Sequence, residues 1–193
     1  MVVQTTKIRD YIFGAFDMKN LTLVIEYYGK KNGVEIDFSE DVIVMDVGSG
    51  PYIDQWNISD KLPQPTTEEL EALEPEAIAH YARRDKLAEL DQKFNDELEN
   101  GHMTCSFGVE IDANNDALRN VGNLLLVMGA EDKEMFCDYN NQFHELTKQQ
   151  VEQIQAEIIG HIRGLYAQKW SYRNQINTLT TPEEINSIVI DFK

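Results

Sequence analysis

No run of about 18 apolar residues occurs in the chain, so no segment reads as a membrane-spanning helix. Positive charge is scarce too. Lys and Arg number 17 against 34 Asp and Glu, a net charge of −17 at pH 7. Phosphate recognition depends on cationic contacts, so a surface of this sign repels nucleic acid and anionic lipid headgroups alike. There are only two cysteines, Cys105 and Cys137, too few for a disulfide framework. Both fall in strand-like segments. They read as two buried thiols in a reducing cytoplasm, or as one bridge joining two strands. The segment Met1–Asp10 lacks a long apolar core and a small-residue cleavage site, and is not expected to be a signal peptide. Repeats and low-complexity tracts are lacking as well. So are the reaction motifs: no Gly-x-Ser-x-Gly elbow, no glycine loop followed by a phosphate-binding lysine, no dinucleotide fingerprint.

What is present is a set of turns, caps and packing patterns that together predict an α+β protein. Residues 1–60 read as a small N-terminal α+β unit. Within it, Leu21, Val24, Ile25 and Tyr28 share a helical face, while Leu21, Leu23, Ile25 and Tyr27 alternate as a strand would. Asn20 as a cap and Gly33 as a stop favour the helix. Val42–Val47 is a β-branched run, with Tyr52–Asn57 as its hairpin partner across Gly48-Ser49-Gly50. Residues 61–100 read as a proline-rich spacer, from Pro63 to Pro75, and a polar connector helix over about 76–99. Thr66 or Thr67 is placed to cap a helix, and Glu69 to complete a capping box. Along the connector Arg83, Arg84, Lys86 and Lys93 interleave with Asp85, Glu89, Asp91 and Glu97, a pattern suited to ion pairs between neighbouring turns.

Residues 101–193 read as a C-terminal α+β domain. Met103, Cys105, Phe107, Val109 and Ile111 alternate as a strand pair bent at Gly108. A helix follows, capped within Asn114–Asp116 and stopped by Gly129. Met135–Leu146 reads as a strand or hairpin turning at Asn140-Asn141. A long helix is expected over about 148–178, with Val151, Ile154, Ile158, Ile162, Leu165, Tyr166 and Trp170 on one face. Thr181-Pro182-Glu183-Glu184 starts a last helix, with cap, proline and capping-box glutamate in their preferred places.

The clusters that could carry chemistry read more simply as structure. Asp112-Ala-Asn114-Asn-Asp116 opens like a calcium loop, but Ala117 replaces the glycine and Asn123 the closing glutamate. It is expected to end a hairpin and cap a helix. His102-x-x-Cys105 has a metal-like spacing, which Cys137 and His144 could complete only without any recognised pairing of their own. No metal, no cofactor and no enzymatic activity are therefore expected. Tyr27, Tyr28, Tyr52 and Trp56 gather in the first unit, either as the large side chains of a small core or as exposed anchors for a protein partner. Trp170 is a third aromatic candidate for partner binding beside Tyr52 and Trp56. The long helix carrying it serves either as a packed core helix or as part of an oligomer seam.

Two segments carry a resemblance. Gly48-Ser-Gly-Pro-Tyr-Ile-Asp-Gln-Trp-Asn57, with Pro63-x-Pro65-Thr66 and Glu68-Glu69-Leu70, resembles the amino-terminal part of small phage and prophage tail-module proteins. From Arg83 onward the chain resembles a domain of unknown function common in phage tail and tail-fibre-associated proteins. The matching pieces are Arg83-Arg84-Asp85, Phe107-Gly-Val-Glu-Ile-Asp112, the helix with Leu118 and Met128, Ala167-Gln-Lys-Trp170 and Thr180-Thr-Pro-Glu-Glu-Ile185. The first forty residues match neither. The resemblance implies a non-enzymatic protein of the bacteriophage tail, at the baseplate or the tail-fibre attachment, made in the bacterial cytoplasm. Its partners would be other tail or tail-fibre proteins, with a homo-oligomer allowed and no nucleic acid or membrane bound. A fibre-assembly chaperone not retained in the virion is the alternative implied. An acidic inhibitor of a host protein is a further one, drawn from charge alone.

Overall fold

The computed structural model describes residues 17–48 and 50–192, and the readings made of residues 1–16 and of Ser49 fall outside these. The chain divides into two compact units, Met1–Ala82 and Arg83–Lys193. Both combine helices with two-stranded antiparallel sheets, an α+β class.

The first unit opens with helix α1 (Met18–Lys31). The helical alternative holds because Leu21, Val24 and Ile25 are fully buried at helical spacing, whereas Leu23 and Tyr27 are only half-buried. The cap differs from the expected Asn20: Asp17 precedes the helix and its side chain accepts the Asn20 N–H at 2.7 Å. An acidic cap there also complements the positive helix terminus. Strands β1 (Val42–Asp46) and β2 (Pro51–Trp56) form the expected hairpin, with a bulge after Ile43. Gly48 and Gly50 turn it at φ of 93° and 106°, a region closed to most L side chains. Asp46 Oδ1 accepts both of their N–H groups. The core joins Leu21, Val24 and Ile25 to Val42, Ile58, Leu62 and Leu70.

Helix α2 (Thr67–Asn100) is longer than the expected 76–99. Thr66 and Glu69 form the capping box at its start. Pro75, expected to punctuate the approach, lies inside the helix. Its ring costs the helix one backbone hydrogen bond, but Leu70 and Ala77 on either side are fully buried and hold both flanks helical.

In the second unit, β3 (His102–Thr104) and β4 (Glu110–Asp112) pair across a turn containing Gly108. The strands are shorter than the alternation predicts. Cys105 and Phe107 lie in the connection, which the left-handed Gly108 (φ 84°) tightens. Helix α3 (Asn115–Val127) follows its Asn114 cap. Then β5 (Lys133–Cys137) pairs with β6 (Phe143–Thr147), turning through Asn141 at φ 60°. Helix α4 (Lys148–Thr178) keeps the expected bounds, and a Thr147–Gln150 capping box starts it. Helix α5 (Pro182–Ser187) is capped by Thr181 and Glu184 as expected. Ile111, Val121, Leu146, Val151, Ile154 and Ile158 form the core between α3, α4 and the strands. The basic residues of the second half of α2 act partly at longer range than the interleaving predicts. Arg83, Lys86 and Lys93 donate to the carbonyls of Leu179, Ile188 and Ile190, tying the end of the chain to α2.

Candidate interaction surface

Tyr52 and Trp56 stand on β2. Tyr52 is 7% exposed, packed in the first unit. Trp56 is half-buried, and its indole N–H donates to the Leu62 carbonyl at 2.8 Å. Its ring lies 6.4 Å from that of Tyr28, whose hydroxyl donates to the Pro63 carbonyl at 3.2 Å. Burial, with Glu69 nearby, pushes the Tyr28 hydroxyl above the ordinary phenol range. These rings clamp the proline spacer, which offers carbonyls without matching N–H donors at Pro63 and Pro65. Trp170 belongs to the other unit and is 65% exposed.

Trp170 does not share the buried face of α4. Val151, Ile154, Ile158, Leu165 and Ile176 are fully buried. Trp170 lies five residues beyond Leu165, about 140° around the helix at 3.6 residues per turn. Together with Ile159 and Tyr166, both about two-fifths exposed, it forms a second apolar strip, in which the Tyr166 ring also packs edge-on against Phe94 with centroids 4.9 Å apart. Beside it the helix surface is hollow. Gly160, Arg163, Gly164 and Ala167 line it together with Tyr166 and Trp170. A Cβ added at either glycine would meet nothing within 4 Å. Arg163 forms no ion pair or hydrogen bond among the described residues, while the two other late cations of α4, Lys169 and Arg173, both reach Asp91. The sequence contained a signal for this surface: two glycines four apart inside a long helix, off its apolar face, where helix propensity disfavours them.

The remaining polar clusters are structural. Asp138 organises the β5–β6 turn. One carboxylate oxygen accepts the N–H groups of Asn140 and Gln142, and the other lies 2.7 Å from His144 Nε2. The bond from His144 first, then that from Gln142, holds the Asp138 carboxyl below its ordinary range. Asn114 Oδ1 accepts the Ala117 N–H, so the calcium-like stretch serves to cap α3. His102 stacks on Tyr139 with centroids 4.2 Å apart and contacts Glu110 at 3.1 Å. Cys105 is buried and Cys137 exposed, both as free thiols. The expectation of two buried thiols thus fails for Cys137, which stands on the solvent side of β5. Among the described residues no three His, Cys, Asp or Glu converge as metal ligands, and no helix is long and apolar enough to cross a membrane.

Two family models match the chain. The one described as domain of unknown function (DUF4376) matches residues 81–191, and the one described as XkdW protein matches residues 35–82. Both are phage-associated families, XkdW from Bacillus phage and prophage. No curated protein matches the chain, and no solved structure does.

Proposed function

We propose a structural role in the bacteriophage tail for this chain, which belongs to the phage-associated family described as domain of unknown function (DUF4376). In this reading it is a non-enzymatic adaptor at the baseplate or the tail-fibre attachment, working through protein contacts. The observation that carries the reading is the pair of adjoining matches to phage-associated families, over residues 35–82 and 81–191. The largely exposed Trp170 of α4 supports contact as the mode of action, because tryptophan and tyrosine dominate interface energetics. A net charge of −17 supports partners that are proteins rather than phosphate polymers.

The test is mass spectrometry of gradient-purified particles from a phage encoding the chain. The expected result is that the protein co-sediments with tails at a fixed ratio to the other tail proteins. Its absence from particles, combined with insoluble fibre protein when the gene is deleted, would replace the adaptor by the assembly-chaperone reading.

A further inference from the structure

The β5–β6 hairpin leaves one row of backbone groups unpaired. At its closed end the Asp138 N–H donates to the Gln142 carbonyl. Bonded pairs recur every second residue in an antiparallel ladder, so the register bonds Phe136 to His144 and Glu134 to Leu146. The main-chain groups of Lys133, Met135 and Cys137 therefore point away from β6, and they meet no other hydrogen-bond partner among the described residues. A hollow of about 190 Å³ runs beside them. Met135 and Cys137 turn their side chains to one face of the hairpin and Phe136 to the other. All three line the hollow and no residue of β6 does, which places it at the free edge of β5 rather than on either face. Its far wall is α3, through Ala117, Val121 and Leu124. Among the described residues Asp112 is the one charged group in the lining.

We propose that the cleft between α3 and β5 binds an extended segment of a partner protein, added as a third strand beside β5, with an aliphatic side chain in the hollow and a Lys or Arg against Asp112. Outward N–H and C=O groups at every second residue select an extended backbone, because a helix spends its own groups internally. The wall of Val121, Leu124 and Phe136 selects an aliphatic side chain and rejects a charged one, which would lose its water there. A lone carboxylate with no cation in the lining sets the sign of the flank. A second copy would instead bring the same acidic surface to the cleft, at net charge −17 per chain. None of these features depends on a place in the tail.

The probe is a capped heptapeptide that alternates Val or Leu with Thr and carries Lys at both ends. It is titrated into the full chain at physiological salt and followed by amide NMR. The expected result is a saturable shift at the Met135 and Cys137 amides, whose hydrogen exchange then slows toward that of Phe136. N-methylation of the central peptide residues should abolish binding, since strand addition runs through their N–H groups. Met135→Pro should weaken binding at least about tenfold, by removing an outward donor that β6 does not use. Retained protection of the Glu134 and Phe136 amides shows that the hairpin of that variant is intact. Asp112→Lys should weaken the Lys-ended peptide about threefold and favour the same peptide with Glu ends. No shift at Met135 and Cys137 up to millimolar peptide would overturn the proposal. So would equal binding of the N-methylated peptide, an affinity indifferent to both variants, or a dimer of the chain that closes this edge in place of the peptide.

Discussion

Asp138 shows how one side chain fixes a turn. Its two oxygens satisfy Asn140, Gln142 and His144 at once, and these bonds favour the charged carboxylate. A carboxyl whose folded pKa lies below its unfolded value of about 3.9 stabilises the fold above that value and loses the contribution as pH falls through the folded pKa. Asp138→Asn is therefore expected to lower the urea midpoint at pH 7. It should also flatten the pH dependence of that midpoint below about pH 4; an unchanged acid limb would show that the turn does not depend on this charge. Thr147 is a second single-residue determinant, since its hydroxyl caps α4 and Gln150 reciprocates. Thr147→Ala should cost about 1 kcal/mol in urea unfolding.

The elements α2 and α4 show how far periodicity carries and where it stops. In α2 the proline at position 75 is exposed and within the helix, so Pro75→Ala restores a backbone donor and is expected to stabilise the protein by about 1–3 kcal/mol. A lower urea midpoint in that variant would mean that the ring is needed for packing. In α4 two faces make different demands. Leu165→Ala removes a fully buried side chain and should cost about 2–5 kcal/mol. Trp170→Ala, five residues on and largely exposed, should change the unfolding free energy at low protein concentration by less than about 0.5 kcal/mol. The two substitutions, compared in one denaturation series, separate the core face from the outer strip.

For the molecule as a whole, charge is the leading fact. At −17, self-repulsion opposes compactness, and salt screens it. Raising sodium chloride from low to physiological strength should stabilise the protein by about 1 kcal/mol, which for a chain of this size is about 2–4 °C in melting temperature. Exposed ion pairs such as Lys31–Glu76 work in the opposite direction but are individually weak. Solubility should fall to a minimum near pH 4.5, where the net charge vanishes. Turbidity across a pH series would reveal it.

Local chemistry was enough to determine α3, α4, α5 and the β1–β2 and β5–β6 hairpins, because caps, positive-φ turn residues and β-branched runs act within a few residues. The capping boxes at Thr66 and Thr181 were legible for that reason, as was the net charge that sets the partners a surface can tolerate, whereas the box at Thr147 went unread. Whether 21–28 would be helix or strand had to wait for a core to bury Leu21, Val24 and Ile25 together. The same holds for Pro75, kept helical by burial on both sides of it. Trp170 looked continuous with the apolar face of α4 until the curvature of a 3.6-residue turn carried it round to solvent, beside glycines that packing left uncovered. Burial is a property of what lies opposite a residue, and only the folded chain supplies that.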